Sequence, residues 1–144
     1  MDSRSLEIGY SIQNTLLLTD EEIVNGALFL GDRNPIHNDP SSPATERFGG
    51  LIACGPHVSG IHACMLPSHC TALGLDVLGT VFTVRYTVPF RANLLHVLSW
   101  VVSAVAPHRS GGSLIDWNGR VSSQRRGVVC IEATGQILVT PQRQ

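Results

Sequence analysis

The sequence predicts an α+β fold in which a curled antiparallel sheet wraps around one central, buried helix. Three observations carry that expectation. The second half holds four long runs rich in β-branched residues, 77–88, 94–106, 113–123 and 127–139, separated by turn signals at Pro89, 107–112 and 125–127. Ahead of them, a stretch ending at Leu66 is apolar or small on nearly every side (Val58, Gly60, Ile61, Ala63, Met65, Leu66), so it suits a buried helix better than a surface one. Finally, 144 residues with a 43% apolar share can build one core but not two, which makes residues 1–144 a single domain.

The elements follow in chain order. A short fifth strand is expected near 6–11. Thr19-Asp20-Glu21-Glu22 reads as a capping box opening a helix over 20–30. Ile23, Val24, Ala27, Leu28 and Leu30 give that helix an apolar face, and Gly31 stops it. Asp39-Pro40 then reads as a cap with proline at the first helical position, giving one turn of helix through Glu46. Gly49-Gly50 breaks the chain, and the central helix is expected over 56–66, between Pro56 and Pro67.

Composition removes several function classes. The chain carries ten arginines, no lysine and a net charge of −1. Scattered arginines leave no footprint for nucleic acid or an anionic membrane. Without lysine there is no Schiff-base chemistry, pyridoxal phosphate attachment or P-loop lysine. No apolar run is long enough to span a bilayer, and the first residues lead into no signal segment, so the expectation is a soluble cytoplasmic protein. Cys54, Cys64, Cys70 and Cys130 form no C-x-x-C pair and read as reduced thiols.

The densest chemical signal is the turn Gly31-Asp32-Arg33-Asn34-Pro35-Ile36-His37-Asn38-Asp39-Pro40. Pro35 fixes its own φ and keeps Asn34 out of the α region, so the chain leaves the preceding helix before His37. A carboxylate and an imidazole are thereby held on one short loop, as acid–base chemistry on a bound water requires. Asn34 is expected to brace the loop by hydrogen bonding, and Asp39 to cap the next helix. A helix beginning at Pro56 leaves the Gly55 amide N–H unpaired at the positive end of the helix dipole, a candidate oxyanion donor. Glycine there also lets a substrate approach the backbone closely.

Asp-x-Asn-Pro-Ile-His-x-Asp followed by Gly-Leu-Ile-Ala-x-Gly resembles the signature of the MaoC-like (R)-specific enoyl-CoA hydratases, also called hydratase 2. Five fixed positions of that motif match by chance on the order of once in a million start positions. Ser5-Leu6-Glu7-Ile8-Gly9 and the strand-rich end through Pro141 extend the resemblance along most of the chain. The resemblance implies a hot-dog fold, usually dimeric with active sites at the subunit interface. It implies interconversion of trans-2-enoyl and (R)-3-hydroxyacyl thioesters of CoA or an acyl-carrier protein, a homodimer or higher homo-oligomer, and no cofactor beyond the substrate's own CoA or phosphopantetheine. Asp32 and His37 would jointly hold and deprotonate the water, with either as principal base. Asn34, Pro35 and Asp39 would support them, and Gly55 would stabilise charge on the thioester oxygen. Two positions depart from the pattern: Cys54, where the family commonly has histidine, and Ala63, where some hydratases carry serine.

Other readings of the same residues are weaker. Cys54, His57 and Cys64 would share a face if the helix extended back to 54, but no fourth ligand has a recognised spacing, so no metal is expected. Ser59-Gly60 lacks a nucleophile elbow. Ser110-Gly111-Gly112 reads as a hairpin turn and Arg125-Arg126 as a solvated one, although an arginine there, or Arg85 or Arg91, would suit a CoA phosphate. Two further functions fit a hot-dog fold: a thioesterase, or a non-catalytic subunit that binds acyl thioesters.

Overall fold

The computed structural model describes residues 6–142 and contains one five-stranded antiparallel sheet with helices on one side of it. We number the elements β1 (Ser11–Leu16), α1 (Asp20–Leu30), a 3₁₀ turn (Pro35–His37), α2 (Pro43–Glu46), α3 (Gly55–Ala72), β2 (Leu75–Tyr86), β3 (His96–Pro107), β4 (Ser113–Ser123) and β5 (Val129–Pro141). Strand order is β1-β3-β4-β5-β2, every neighbouring pair antiparallel. Register shifts at Gly79/Val81, Val102/Ala104 and Val121/Ser122 each insert a residue and increase the local twist that curls the sheet. No helix among the described residues is long and apolar enough to cross a membrane.

The core lies between α3 and the sheet. Val58, Leu66 and Cys70 of α3 are buried together with Trp100, Trp117, Ile115, Ile131 and Ile137 from the strands. Trp100 also satisfies its indole: Nε1 donates to the His62 carbonyl at 2.7 Å. Gly119 permits this packing, because a Cβ there would lie 2.5 Å from the Trp100 ring.

Several expectations need correction. The N-terminal strand is Ser11–Leu16, not 6–11: the Tyr10 amide turns back onto the Glu7 carbonyl (2.9 Å), so residues 7–10 form a turn, although Gly9 already bonds to Val102 of β3 (2.9 Å). Ser5, part of the motif resemblance, lies outside the described residues. The central helix runs through Pro67 to Ala72 rather than stopping at 66. Proline costs one i→i−4 bond, but burying Leu66 and Cys70 on either side of it favours continuing the helix. The helix after the motif turn is Pro43–Glu46 with Ser42 as its cap, so Pro43, not Pro40, holds the first helical position. Helix α1 has its full capping box and a left-handed Gly31 (φ 78°) at its end, but only Ile23 and Ala27 of its expected apolar face are buried, while Leu28 and Leu30 are exposed. The remaining strands shift from expectation by about two residues, and β4 coincides with it.

Candidate functional site

The site begins at the end of α1. Gly31 takes a left-handed conformation, and the Asp32 amide donates back to the Ala27 carbonyl at 2.9 Å, so the chain turns sharply and carries Asp32 away from the helix axis. Asp32 Oδ1 then accepts the Asn34 amide at 2.9 Å, and Asn34 Oδ1 accepts the Ile36 amide at 3.4 Å. Asn34 thus caps the 3₁₀ turn that Pro35 opens and His37 ends. Asp39 does not cap a helix; its carboxylate takes the Ser41 amide (3.0 Å) and hydroxyl (2.8 Å), closing the turn after the motif.

A second segment locks the turn in place. The Ile52 amide donates to the Ile36 carbonyl (3.1 Å), and Ala53 donates to Phe90 (2.9 Å), so residues 51–54 bridge the motif turn and the segment after β2. His37, buried at 6% exposure, is fixed by its Nδ1, 2.7 Å from the Ile52 carbonyl. A carbonyl only accepts, so Nδ1 carries the proton and the neutral ring's Nε2 is a bare acceptor. That Nε2 stands 3.4 Å from Asp32 Oδ2. In the neutral state two acceptors face one another, an arrangement that one water satisfies by giving a hydrogen to each.

Cys54 completes the surroundings of Asp32. Its thiol donates to Oδ2 at 3.2 Å. The Asn34 amide, this thiol and the nearby His37 hold the Asp32 carboxyl below its ordinary range, while burial and the adjacent carboxylate push the Cys54 thiol up. Asp32 is therefore an anion with its donors in place, and Cys54 a protonated donor. Reading Cys54 from sequence as a departure from a family pattern missed this contact; its place immediately before Gly55 was the available signal.

Cys54 is also the residue before α3, and Gly55 is the helix's first residue. The Gly55 N–H has no carbonyl one turn back to bond, which leaves it a free donor at the positive helix end. A Cβ at Gly55 would lie 2.8 Å from the Tyr86 ring, so glycine is what allows Tyr86 to pack this close to the start of α3. The Tyr86 hydroxyl and Ser59 Oγ are hydrogen-bonded at 2.9 Å. A cavity of about 450 Å³ opens here, lined by Gly55, Pro56, Tyr86, Pro89 and Ile131 among others. Asp32 and His37 do not themselves line it; His37 is tied to it through the carbonyl of Ile52, which does, and Asp32 through Cys54, the neighbour of Gly55.

The structure does not assemble Cys54, His57 and Cys64: His57 packs against Gly26, and Cys64 is exposed. Among the described residues, the donors that do converge are those of Asp32, His37 and Cys54, all within 4.8 Å of one another. They are the atoms a cation would use, and equally the atoms that would hold a water.

A curled antiparallel sheet around a central helix defines a hot-dog protein, here with a carboxylate–imidazole pair held next to the residue that precedes that helix. The chain belongs to the MaoC-like domain family, whose model matches residues 5–111. Among solved structures, its fold is similar to that of the (R)-hydratase from A. caviae involved in PHA biosynthesis (19% identity, TM-score 0.80, 94% of this chain and 98% of that one covered). It is similar too to the R-hydratase PhaJ1 from Pseudomonas aeruginosa (22% identity, TM-score 0.83, 96% and 85% covered). A MaoC-like dehydratase from Rhodospirillum rubrum aligns over 100% of this chain and 99% of its own (19% identity, TM-score 0.78). No curated protein sequence matches the chain.

Proposed function

We propose that the protein interconverts trans-2-enoyl and (R)-3-hydroxyacyl thioesters by adding or removing water at the Asp32–His37 pair. The observation that carries this reading is the pair of acceptors, Asp32 Oδ2 and His37 Nε2, 3.4 Å apart beside the unpaired Gly55 amide. Family membership and the similarity to two (R)-hydratases support it.

In the hydration direction, the pair holds one water by its two hydrogens. The water oxygen bonds to the β-carbon while the pair takes one of its protons. The π electrons move toward the thioester carbonyl, whose oxygen gains charge opposite the Gly55 N–H; such a donor is worth roughly 3 to 4 kcal/mol in the transition state. Returning the proton to the α-carbon restores the thioester and completes the addition of water. Dehydration reverses each step. The chemistry requires no redox cofactor, since no atom set changes its net oxidation level. A second copy of the chain is expected along the free edge of β2, whose end at Tyr86 borders the cavity.

The test is loss of the enoyl chromophore of crotonyl-CoA, with product chirality determined. Turnover to the (R)-3-hydroxy thioester, reduced at least about a hundredfold in both Asp32→Asn and His37→Ala, is the expected result. Release of free CoA instead would indicate a thioesterase. Tight thioester binding with no turnover, alone or with candidate partner chains, would indicate a binding subunit.

A further inference from the structure

The acid–base chemistry above needs a carboxylate and an imidazole, yet the structure adds a thiol to them. Asp32 Oδ2 lies 3.2 Å from Cys54 Sγ and 3.4 Å from His37 Nε2, and all three atoms fall within 4.8 Å of one another. Zinc takes thiolate sulfur at about 2.3 Å and imidazole nitrogen or carboxylate oxygen at about 2.0 to 2.2 Å, arranged as a tetrahedron. Ligand atoms so placed stand about 3.4 Å apart for nitrogen and oxygen, and about 3.6 Å apart for sulfur and oxygen. The first separation is already met, and the second needs the thiol to move by only a few tenths of an ångström.

The groups behind these atoms orient them for a metal. His37 Nδ1 is 2.7 Å from the Ile52 carbonyl, which keeps the proton on Nδ1 and leaves Nε2 as the ligating nitrogen. His37 is 6% exposed, and the neutral ring's Nε2 faces the Asp32 carboxylate, another acceptor. The Asn34 amide engages Asp32 Oδ1 at 2.9 Å, so Oδ2 is the oxygen left for an ion. The Asp32 side chain is 35% exposed, which gives the cluster access to solvent.

We infer that Asp32, His37 and Cys54 bind one zinc ion, with the fourth position left to water. On binding, the Cys54 S–H bond breaks, its proton passes to solvent and the sulfur donates an electron pair to the metal. Thiolate and carboxylate together then balance the charge of the divalent ion, while the imidazole stays neutral. A sulfur and an imidazole nitrogen select zinc over magnesium and calcium, which take oxygen shells. The set is distinct from Cys54, His57 and Cys64, which the structure does not assemble. The ion occupies the same two acceptors assigned above to the reacting water, so zinc blocks hydration; that consequence alone rests on the function proposed above.

The full chain, free of any affinity tag and stripped with a chelator, is titrated with zinc by calorimetry and with cobalt(II) by absorption spectroscopy, where a thiolate-to-metal charge-transfer band reports the sulfur–metal bond. One zinc per chain is expected, with no heat from magnesium or calcium. The cobalt band should appear in the wild type and in Cys64→Ala, whose thiol is exposed, and vanish in Cys54→Ser, which keeps a donor beside Asp32 but lacks the sulfur. Cys54→Ser and His37→Ala should each raise the zinc Kd at least about tenfold. A wild type without the band overturns the site whatever the variants do. A band that survives in Cys54→Ser or is lost in Cys64→Ala overturns it too, as does a zinc Kd unchanged in His37→Ala. Zinc should suppress crotonyl-CoA turnover in the wild type, and excess chelator should restore it. Turnover that continues with the ion bound overturns the blockade and keeps the site. A protein that shows the band and both Kd changes, yet is inactive with and without metal, refutes hydration and keeps the site.

Discussion

Asp32 is surrounded by donors that come from two places in the sequence, and the difference decides what could be read in advance. The Asn34 amide and the His37 ring lie within five residues of it, so the short proline-braced motif already displays them. Cys54 lies 22 residues away and reaches Asp32 only because residues 51–54 pair with both the motif turn and Phe90. Its role is a product of tertiary placement, invisible to spacing. Removing the thiol takes away a donor that favours the ionised carboxylate, so the Asp32 pKa rises in Cys54→Ala. The base is active above its pKa, and the acidic limb of the kcat/KM profile should therefore move to higher pH. Cys54→Ser restores a donor and should return the limb toward its original position. A limb unmoved in the alanine variant would show that the thiol does not tune Asp32. Gly55 offers a second residue-scale check. The methyl of Gly55→Ala must displace the Tyr86 ring, which is 51% exposed and held by one hydrogen bond to Ser59, so the fold should survive with a small change in Tm. The same methyl crowds the approach to the amide, and kcat/KM for crotonyl-CoA should fall at least about tenfold.

Among the elements, α3 was legible as a buried helix but not as a helix carrying buried histidines. Its side chains include His62, 1% exposed and stacked on Trp100 with ring centroids 4.2 Å apart. At the start of β3, His96 is equally buried and stacks on Phe90 at 3.7 Å. Local periodicity shows where a helix or strand faces but not which polar ring will find a carbonyl inside; His62 finds Ser99 and His96 finds Leu94. Pro67 misled for the same reason, since local preference ends a helix where packing continues it. Burial pushes both histidine pKa values below 6.5 in the folded protein. The unfolded chain therefore binds protons first as pH falls. The stability contribution is complete above about pH 6.5 and is lost as pH drops toward the folded-state values, with a slope of up to about 1.4 kcal/mol per pH unit for each ring. Asp32 and Asp39, held below 3.8, stay ionised across the upper part of this window and do not mask the effect. Urea midpoints measured from pH 7.5 down to 5.5 should decline, and His96→Phe should flatten the decline by one proton. A midpoint independent of pH over that range would contradict the assignment.

At the scale of the whole molecule, the pattern of four long strands announced the sheet, but the order β1-β3-β4-β5-β2 depends on which edges meet and is not written in any local run. The order leaves β2 at an edge, bonded among the described strands only to β5, and a twelve-residue edge strand invites another strand. Its outward side chains add to the invitation: Leu78 is 69% exposed and Val81 55%. A charged edge would discourage pairing, yet these positions are apolar. The strand ends at Tyr86, and Tyr86, Thr87 and Val88 line the cavity beside Gly55. A second copy lying along β2 would consequently wall the pocket as well as cover the edge, making assembly and activity depend on one surface. Val81→Lys separates the two possibilities. Because Val81 is exposed in the single chain, the substitution should leave the chain folded by circular dichroism. By sedimentation, the wild type should run at twice the 15.5 kDa chain mass and the variant at that mass, with turnover of crotonyl-CoA falling in step with the dimer fraction. A variant that becomes monomeric with undiminished kcat/KM would mean that one chain builds its whole pocket. A variant that stays dimeric would put the second copy on another face.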